Sequence, residues 1–206
     1  PKKGSMGFGP RKRANRPYGR VKSWPQSEGD EVRVQGFAGW KAGMTHVLMR
    51  DLNPGSPSAG AEVRKAVTVV EVPPMRVLAV RGYKMTPYGK QTAGEVWASA
   101  EKLADVIPSL PRRIPERKEH DADAHLDKLR ESNLAEVRLI VSSQPDKVSS
   151  VGSKTPEIME MGLTGGDFGA QLDWASEKLG EELGIEDVFE SGSDIDVIGV
   201  PKGAGN

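Results

Sequence analysis

The sequence predicts an α+β protein, laid out as a β domain interrupted by an insertion. Three observations predict it. Glycine-punctuated, β-branched segments fill the first 85 residues, helical spacings alternate with strands through the middle, and β-branched runs return before the end. At 206 residues the chain is long enough to bury a substantial core. It contains no internal repeat.

In order, Val32, Val34 and Phe37 lead into a glycine-rich turn at Gly36, Gly39 and Gly43, and Met44 to Met49 lead out as a second strand. Glycines at this density mark tight turns or close backbone approach. Asn53 to Gly60 (NPGSPSAG) reads as a loop, since Asn, Pro, Gly and Ser each favour turn backbone. Ala66 to Val72 (AVTVVEV) has the length and β-branched content of a buried strand. Pro73-Pro74 stops it, and Met75 to Tyr83 supplies another strand around Val77 and Val80. These pieces predict an antiparallel sheet or small barrel. Glu95 to Ile107 reads as a short helix ended by the proline-rich SLPRRIP, and His120 to Glu131 as a polar helix with Leu126 and Leu129 on one side. Leu134 to Ser142 returns to strand, carrying Val137, Leu139 and Val141 at period two. Thr155-Pro156-Glu157 resembles a helix start, and Gly169 to Leu179 sets Leu172, Ala175 and Leu179 at helical spacing with Gly180 as the stop. Ile185 to Phe189 and Ile195 to Val200 read as strands around a turn at Glu190 to Ser193.

Lys and Arg number 29 and Asp and Glu 29, a balance that conceals a gradient. From Pro1 to Trp24 there are eight bases (Lys2, Lys3, Arg11, Lys12, Arg13, Arg16, Arg20, Lys22) and no acid, whereas Thr155 to Val200 holds twelve acids and one base, Lys178. Such asymmetry points to a nucleic-acid partner at the basic end. The stretch is rich in Gly, Pro, Arg, Lys and Ser, with Phe8, Tyr18 and Trp24 spaced between them. Ordering a backbone costs about 1–2 kcal/mol per residue, and this stretch has no apolar content to offset it. It is expected to be disordered alone and ordered against a polyanion. Its bases would neutralise phosphates and its aromatics stack on unpaired bases. A solubilising tail or targeting segment competes with this reading, but the lack of any acid favours RNA or DNA. The acid-rich end is expected to be a solvated face.

Chemistry is sparse. With no cysteine, disulfides, thiolate zinc sites and cysteine nucleophiles are excluded. No Walker phosphate loop occurs, and Gly36, Gly39 and Gly43 lack the spacing of a dinucleotide fingerprint. His120-Asp121-Ala122-Asp123-Ala124-His125 gathers potential metal ligands, but i and i+5 align poorly on a helix and Glu116, Arg117, Lys118 and Glu119 flank it. It reads as a solvated helix entrance rather than a zinc or nickel site. His46 alternates with Val47 in a strand and has no catalytic partner, and there is no G-x-S-x-G. No apolar run reaches the roughly 18 residues of a membrane helix, and the basic opening has no apolar stretch of the secretory kind. An enzyme, a cofactor, a membrane and a small-molecule substrate are all unexpected.

Several segments resemble the ribosomal protein L three family of the large subunit, in its archaeal and eukaryotic form. They are Ser5 to Arg13 (SMGFGPRKR), Val21 to Pro25 (VKSWP), Gly36 to His46 (GFAGWKAGMTH), Val67 to Pro74 (VTVVEVPP), Gly94 to Trp97 (GEVW), Pro156 to Glu160 (PEIME), Asp187 to Phe189, and Ile195 to Val200. They occur in the family's order; the GFAGWKAGMTH block and the basic opening are the specific ones. The resemblance implies a translation-protein-type β-barrel, an α/β insertion, and an extended basic arm threaded into ribosomal RNA near the peptidyl-transferase centre. It therefore implies a cytoplasmic, ribosomal location, with large-subunit RNA and neighbouring large-subunit proteins as partners. The expected layout is an arm over 1–30, the first part of the barrel over 31–85, the insertion over 86–184 and a return to barrel strands over 185–206. Lys2, Lys3, Arg11, Lys12, Arg13, Arg16, Arg20, Lys22, Trp24, Lys41 and Lys202 are the RNA-contact candidates. Where the family reads T-K-G-K-G-F, Pro201 to Asn206 keeps only Lys202, Gly203 and Gly205, so an N-terminal portion with an incomplete barrel and open strand edges is expected. The alternative is a non-ribosomal interaction module on the same barrel, docking a basic protein through the acidic region Thr155 to Val200.

Overall fold

A computed structural model of the chain describes residues 7, 9, 14–26, 29–104, 108–115 and 121–201. It divides into two units, Gln26–Phe189 and a smaller one made of Pro1–Pro25 with Glu190–Asn206. In the larger unit the strands are β1 (Arg33–Val34), β2 (Trp40–Arg50), β3 (Glu62–Glu71), β4 (Met75–Thr86), β5 (Gly89–Trp97), β6 (Glu136–Ser142), β7 (Ile158–Thr164) and β8 (Glu182–Leu183). The helices are α1 (Ala100–Ala104), α2 (Ala122–Glu131) and α3 (Phe168–Glu177).

Six strands form one sheet in the order β1-β7-β6-β4-β5, with β8 also on β4, and every ladder in it is antiparallel. Arg76 faces Ser142 on one flank and Glu182 on the other, so β8 prolongs the β5 edge. Strand β6 is buried along all seven residues, which is why its alternation is filled in as V-R-L-I-V. One face of the sheet carries Val77, Val80, Val96, Val137, Leu139 and Val141, all 1% exposed or less. Helices α2 and α3 pack against this sheet and against each other. Gly82 and Gly94 are cross-strand partners. A Cβ on either would lie about 3 Å from the Leu129 methyl, so the glycine pair is what lets α2 sit down. On the opposite face Ala79, Trp97 and Ile140 are covered by Leu103, Leu110 and Ile114.

The helices carry their own start signals. The Asp121 carboxylate accepts from the Asp123 and Ala124 amides at 3.1 and 3.2 Å, and Leu126 and Leu129 are the buried stripe of α2. Asp167 caps α3 through the Ala170 amide at 2.8 Å, and Gly180 (φ +81°) follows the helix as expected.

Strands β2 and β3 form a separate two-stranded ribbon with a β-bulge between Lys41 and Gly43. Gly43 is thus inside a strand, not in the expected turn, because the bulge absorbs the extra residue. Nor is β3 buried: Val69 and Val70 are 48% and 45% exposed. The loop between them is organised by Asp51, which accepts from the Asn53 amide at 3.0 Å and the Ser58 hydroxyl at 2.7 Å. Hydrogen bonds from Ser56 and Ser58, then the Asn53 amide, hold its carboxyl at about 2. A carbon-detected NMR titration is expected to place Asp51 there, and Ser58→Ala to move it back toward 3.8. An unshifted Asp51 in the parent chain would show that the loop opens in solution.

Among the described residues the strands form antiparallel sheets and no barrel closes: β1 and β4 join the large sheet while β2–β3 stands apart. Other sequence expectations are corrected. The strand–helix alternation of the middle belongs to an antiparallel sheet, not an α/β one. The helix expected over Glu95 to Ile107 is strand β5 up to Trp97 and helix from Ala100, with residues 105–107 outside the described set. Pairing with β4 outweighs its helical spacing. The helix start at Thr155 leads instead into β7, whose Ile158, Met159, Met161 and Leu163 are paired or buried at the β6 edge. Ile185 to Phe189 is a turn, and Ile195 to Val200 has no strand but one bridge among the described residues, Gly199 to Tyr18.

Candidate nucleic-acid interface

The smaller unit holds the described part of the basic stretch. Residues 14–25 have bends at 15–17 and otherwise no regular structure, and Tyr18 makes an antiparallel bridge to Gly199. The two segments approach closely at Gly19, where a Cβ would overlap the Ile198 side chain and sit 3.4 Å from the Gly199 amide. A larger residue there would make the Ile198 side chain shift. Arg16, Arg20 and Lys22 are exposed, and among the described residues none of the three belongs to an ion pair. Trp24 is half-buried, and its Nε1 is buried with no hydrogen-bond partner among the described residues. The segment facing the arm is itself under-packed, with Val197 83% and Ile198 56% exposed. What is described of the arm is therefore cationic, irregular and thinly packed, and its charges are not spent on the protein's own carboxylates.

Lys41 is exposed on β2, beside the bulge, and belongs to the larger unit. Lys2, Lys3, Arg11, Lys12, Arg13 and Lys202 lie outside the described residues, as do Phe8 and His120. The other half of the histidine motif is visible. Asp121 is the helix cap, and the His125 ring nitrogen lies 2.8 Å from the Asp121 carbonyl oxygen, so both groups serve the first turn of α2. His46 meets Arg64 across the ribbon, Nδ1 to Nη2 at 3.0 Å.

The acid-rich end is exposed, as its composition predicted, with ten of its twelve acids at the surface, and several of them also bind the fold. Glu157 pairs with Arg113, Asp173 with Arg130, Glu181 with Lys178, and Glu182 with Arg76 and Lys147. Asp167 caps α3, and Asp187 accepts from the Gly184 amide at 2.8 Å. The Lys147 ammonium, with Gln144 and against the cost of burial, holds Glu182 below the usual carboxylate range. Six of these acids thus hold the fold together from exposed or half-buried positions.

A second charged constellation escaped the sequence reading. Beyond Ala79, Trp97 and Ile140, the same sheet face carries Arg81, Tyr83, Glu95, Glu136, Arg138 and Glu160. Arg81 and Arg138 are direct cross-strand partners, an arrangement of like charges that destabilises a sheet by itself. Glu160 lies across both: it pairs with Arg81, accepts from Arg138 Nη1 at 3.0 Å, and takes the Tyr83 hydroxyl at 2.9 Å. Glu95 completes Arg81 at 2.6 Å, and Glu136 takes Arg138 Nε at 2.7 Å and Lys90. The Arg138 guanidinium also stands 4.8 Å over the Tyr83 ring. Desolvation would lower the guanidinium pKa of Arg81, but Tyr83, Glu95 and Glu160 outweigh it and raise it. Burial, then Glu160, pushes the Tyr83 hydroxyl up. Burial opposes ionisation of Glu136, yet Arg138 and Lys90 hold it below its usual range. Period-two polar residues in β4 and β6 were the available signal. With each cation matched by a carboxylate, the cluster is a closed network rather than a ligand site.

The chain combines an antiparallel α+β unit with a second unit that carries a thinly packed, acid-free basic segment, which defines it as a protein with a folded body and a cationic extension. Comparison with known proteins places this chain: the family model described as Ribosomal protein L3 matches residues 1–206, and the chain belongs to that family. It is similar to the large ribosomal subunit protein uL3 of Archaeoglobus fulgidus, 45% identical over 206 residues, all of this chain and 60% of the relative. It is similar also to that of Haloarcula marismortui, 42% identical over all of this chain and 61% of the relative, and to that of Methanothermobacter thermautotrophicus, 44% identical over all of this chain and 59% of the relative. The chain thus spans about 60% of the length of the relatives it matches.

Proposed function

We propose that this chain is a structural constituent of the large ribosomal subunit, acting as a ribosomal-RNA-binding protein and not as an enzyme. The basic arm over 1–30 would lie among RNA strands near the peptidyl-transferase centre, with Lys2, Lys3, Arg11, Lys12, Arg13, Arg16, Arg20, Lys22, Trp24, Lys41 and Lys202 as the contacting residues. Neighbouring large-subunit proteins are its other partners, and the cytoplasmic ribosome its location. The observation that carries this reading, beside family membership, is the exposure of Arg16, Arg20 and Lys22 in an acid-free segment with no carboxylate partner among the described residues. Such charges stabilise packed phosphates by releasing counterions, and no reacting group is needed.

The ribbon β2–β3 supports the finer fold reading, a translation-protein-type barrel of which this is an incomplete part. One of its faces aligns Val47, Met49, Val63, Val67 and Val69 around Thr45 and Lys65, with Val47 42% and Met49 42% exposed. A mostly apolar strand face left this open is what a barrel wall shows when the strands across from it are absent.

A filter-binding titration against large-subunit ribosomal RNA tests the function. With roughly six to eight phosphates neutralised, log affinity is expected to fall with log salt at a slope of about −4 to −7. A flat response would overturn the proposal.

A further inference from the structure

The hairpin that joins β4 to β5 projects past the sheet, and its tip has no structural task. From Gly82 to Gly94 the sequence GYKMTPYGKQTAG has two lysines and no acid. Lys84, Met85, Pro87, Tyr88, Lys90 and Gln91 are all exposed; Met85 is 63% exposed and Tyr88 100%. A single exposed apolar residue needs no explanation. Here, however, the ring is held out by a stiff mount. The ladder runs to the last pair, Thr86 with Gly89, the Thr86 hydroxyl donates to the Gly89 carbonyl at 2.7 Å, and Gly89 supplies the φ of +110° that closes the turn. Pro87 fixes φ before the ring. Ordering an aromatic side chain fully in water gains nothing for folding. A ring already mounted at a tip meets a flat partner at little entropic cost.

We propose that this tip is an additional RNA contact, in which Tyr88 stacks on an unpaired base and Lys84 sits at a flanking phosphate. The inference rests on the RNA-binding reading above and extends it to residues that neither the basic arm nor the GFAGWKAGMTH block includes. Three features select RNA over a protein partner. The segment has no carboxylate to repel phosphate. Its apolar area, one ring with Met85 and Pro87 beside it, is small for a protein interface. And an aromatic flanked by cations at a narrow tip matches the stacking-plus-phosphate chemistry of unpaired nucleotides. Lys90 is engaged by Glu136 and helps hold the base of the finger rather than reaching the ligand.

The test uses the 206-residue chain and a large-subunit ribosomal RNA transcript, at several salt concentrations. Tyr88→Ala is expected to weaken binding by about 5- to 150-fold, the range for losing one stacked base, with an unchanged salt slope. Tyr88→Phe should bind like the parent, because the ring is kept. Lys84→Gln should reduce the slope by about 0.7–0.9, one phosphate contact. Melting temperatures of all three should match the parent, since the tip is solvent on every side. If Tyr88→Ala binds like the parent while charge-neutralised Arg16, Arg20 and Lys22 variants lose affinity, the finger is overturned and the arm stands. If the parent chain itself does not bind, both are overturned.

Discussion

Replacing Gly165 by alanine is expected to destabilise the larger unit by about 3–5 kcal/mol, among the largest effects of any single methyl in the chain. Two causes add. Gly165 has φ +83°, where an L-residue costs roughly 1–2 kcal/mol. Its Cβ would also overlap the Glu31 carbonyl oxygen, lie 2.8 Å from the Glu31 carbonyl carbon and 3.1 Å from the Gly29 carbonyl oxygen. These are backbone atoms, so no side chain can swing aside. The Gly29 carbonyl is itself fixed, accepting the Gly166 amide at 2.9 Å, and the Gly165 carbonyl receives the buried Gln171 amide at 2.9 Å. The methyl would therefore pry the strand that leads into β1 away from β7 and disturb the start of α3. Gly60 separates the two causes: it has φ +80° and open space around its Cβ position. Gly60→Ala should cost only the backbone part, about 1–2 kcal/mol. Urea unfolding of the three chains checks this, and equal midpoints for the two variants would refute the close approach.

How much of this was legible in the sequence varies with the kind of interaction. Local signals came through: Asp121 before Leu126 and Leu129, and Gly180 after Leu172 and Ala175, mark α2 and α3 because caps and stripes act within one turn of chain. So did β6, where Val137, Leu139 and Val141 keep period two. What failed needed a distant partner. Glu95 to Trp97 reads as helix until β4 stands beside it, and Pro156-Glu157 reads as a helix start until Ser143, 2.9 Å from the Glu157 amide, draws the strand to β6. A bulge such as that at Lys41 and Gly43 leaves no signature distinct from a turn. The glycine pair Gly82 and Gly94 is meaningful only once the register opposes them.

The candidate site divides in the same way. The basic arm was visible because its signal is composition: eight bases without an acid need no fold to be read. Composition read the other end as a surface, and ten of the twelve acids are exposed; what it could not show is that Glu157, Glu160, Asp173 and Glu182 each meet an arginine far off in sequence. Tyr88 was hidden for the converse reason. Its chemistry is ordinary, and only the strand ladder that leaves it fully exposed gives it meaning.

Glu160→Ala is expected to cost about 2–3 kcal/mol, more than an ordinary surface ion pair, for which roughly 0–1 kcal/mol is typical. The reason is the register. Arg81 and Arg138 face each other directly, Arg138 with 9% of its side chain accessible, and the Glu160 carboxylate is the group that touches both. Removing it leaves two guanidiniums across a ladder, with Glu95 and Glu136 each serving only its own arginine. The effect falls short of the roughly 3–5 kcal/mol of a wholly buried pair because the Glu160 side chain stays 27% accessible. Replacing the trio with apolar residues, Arg81→Leu, Arg138→Met and Glu160→Leu, should recover much of the loss, since the penalty is unpaired charge rather than missing attraction. The pH dependence follows from the shifts. Glu136 is held below its ordinary 4.5, so its contribution is present above that pH and is lost as pH falls through its folded value. Tyr83 is held above 10.0, so its contribution is present below that pH and is lost as pH rises through its folded value. Denaturation midpoints should therefore form a plateau between about pH 5 and 10 that drops on both sides. Tyr83→Phe should remove the alkaline drop while sparing the acid one, and an alkaline drop of unchanged size in that variant would place its origin outside this network.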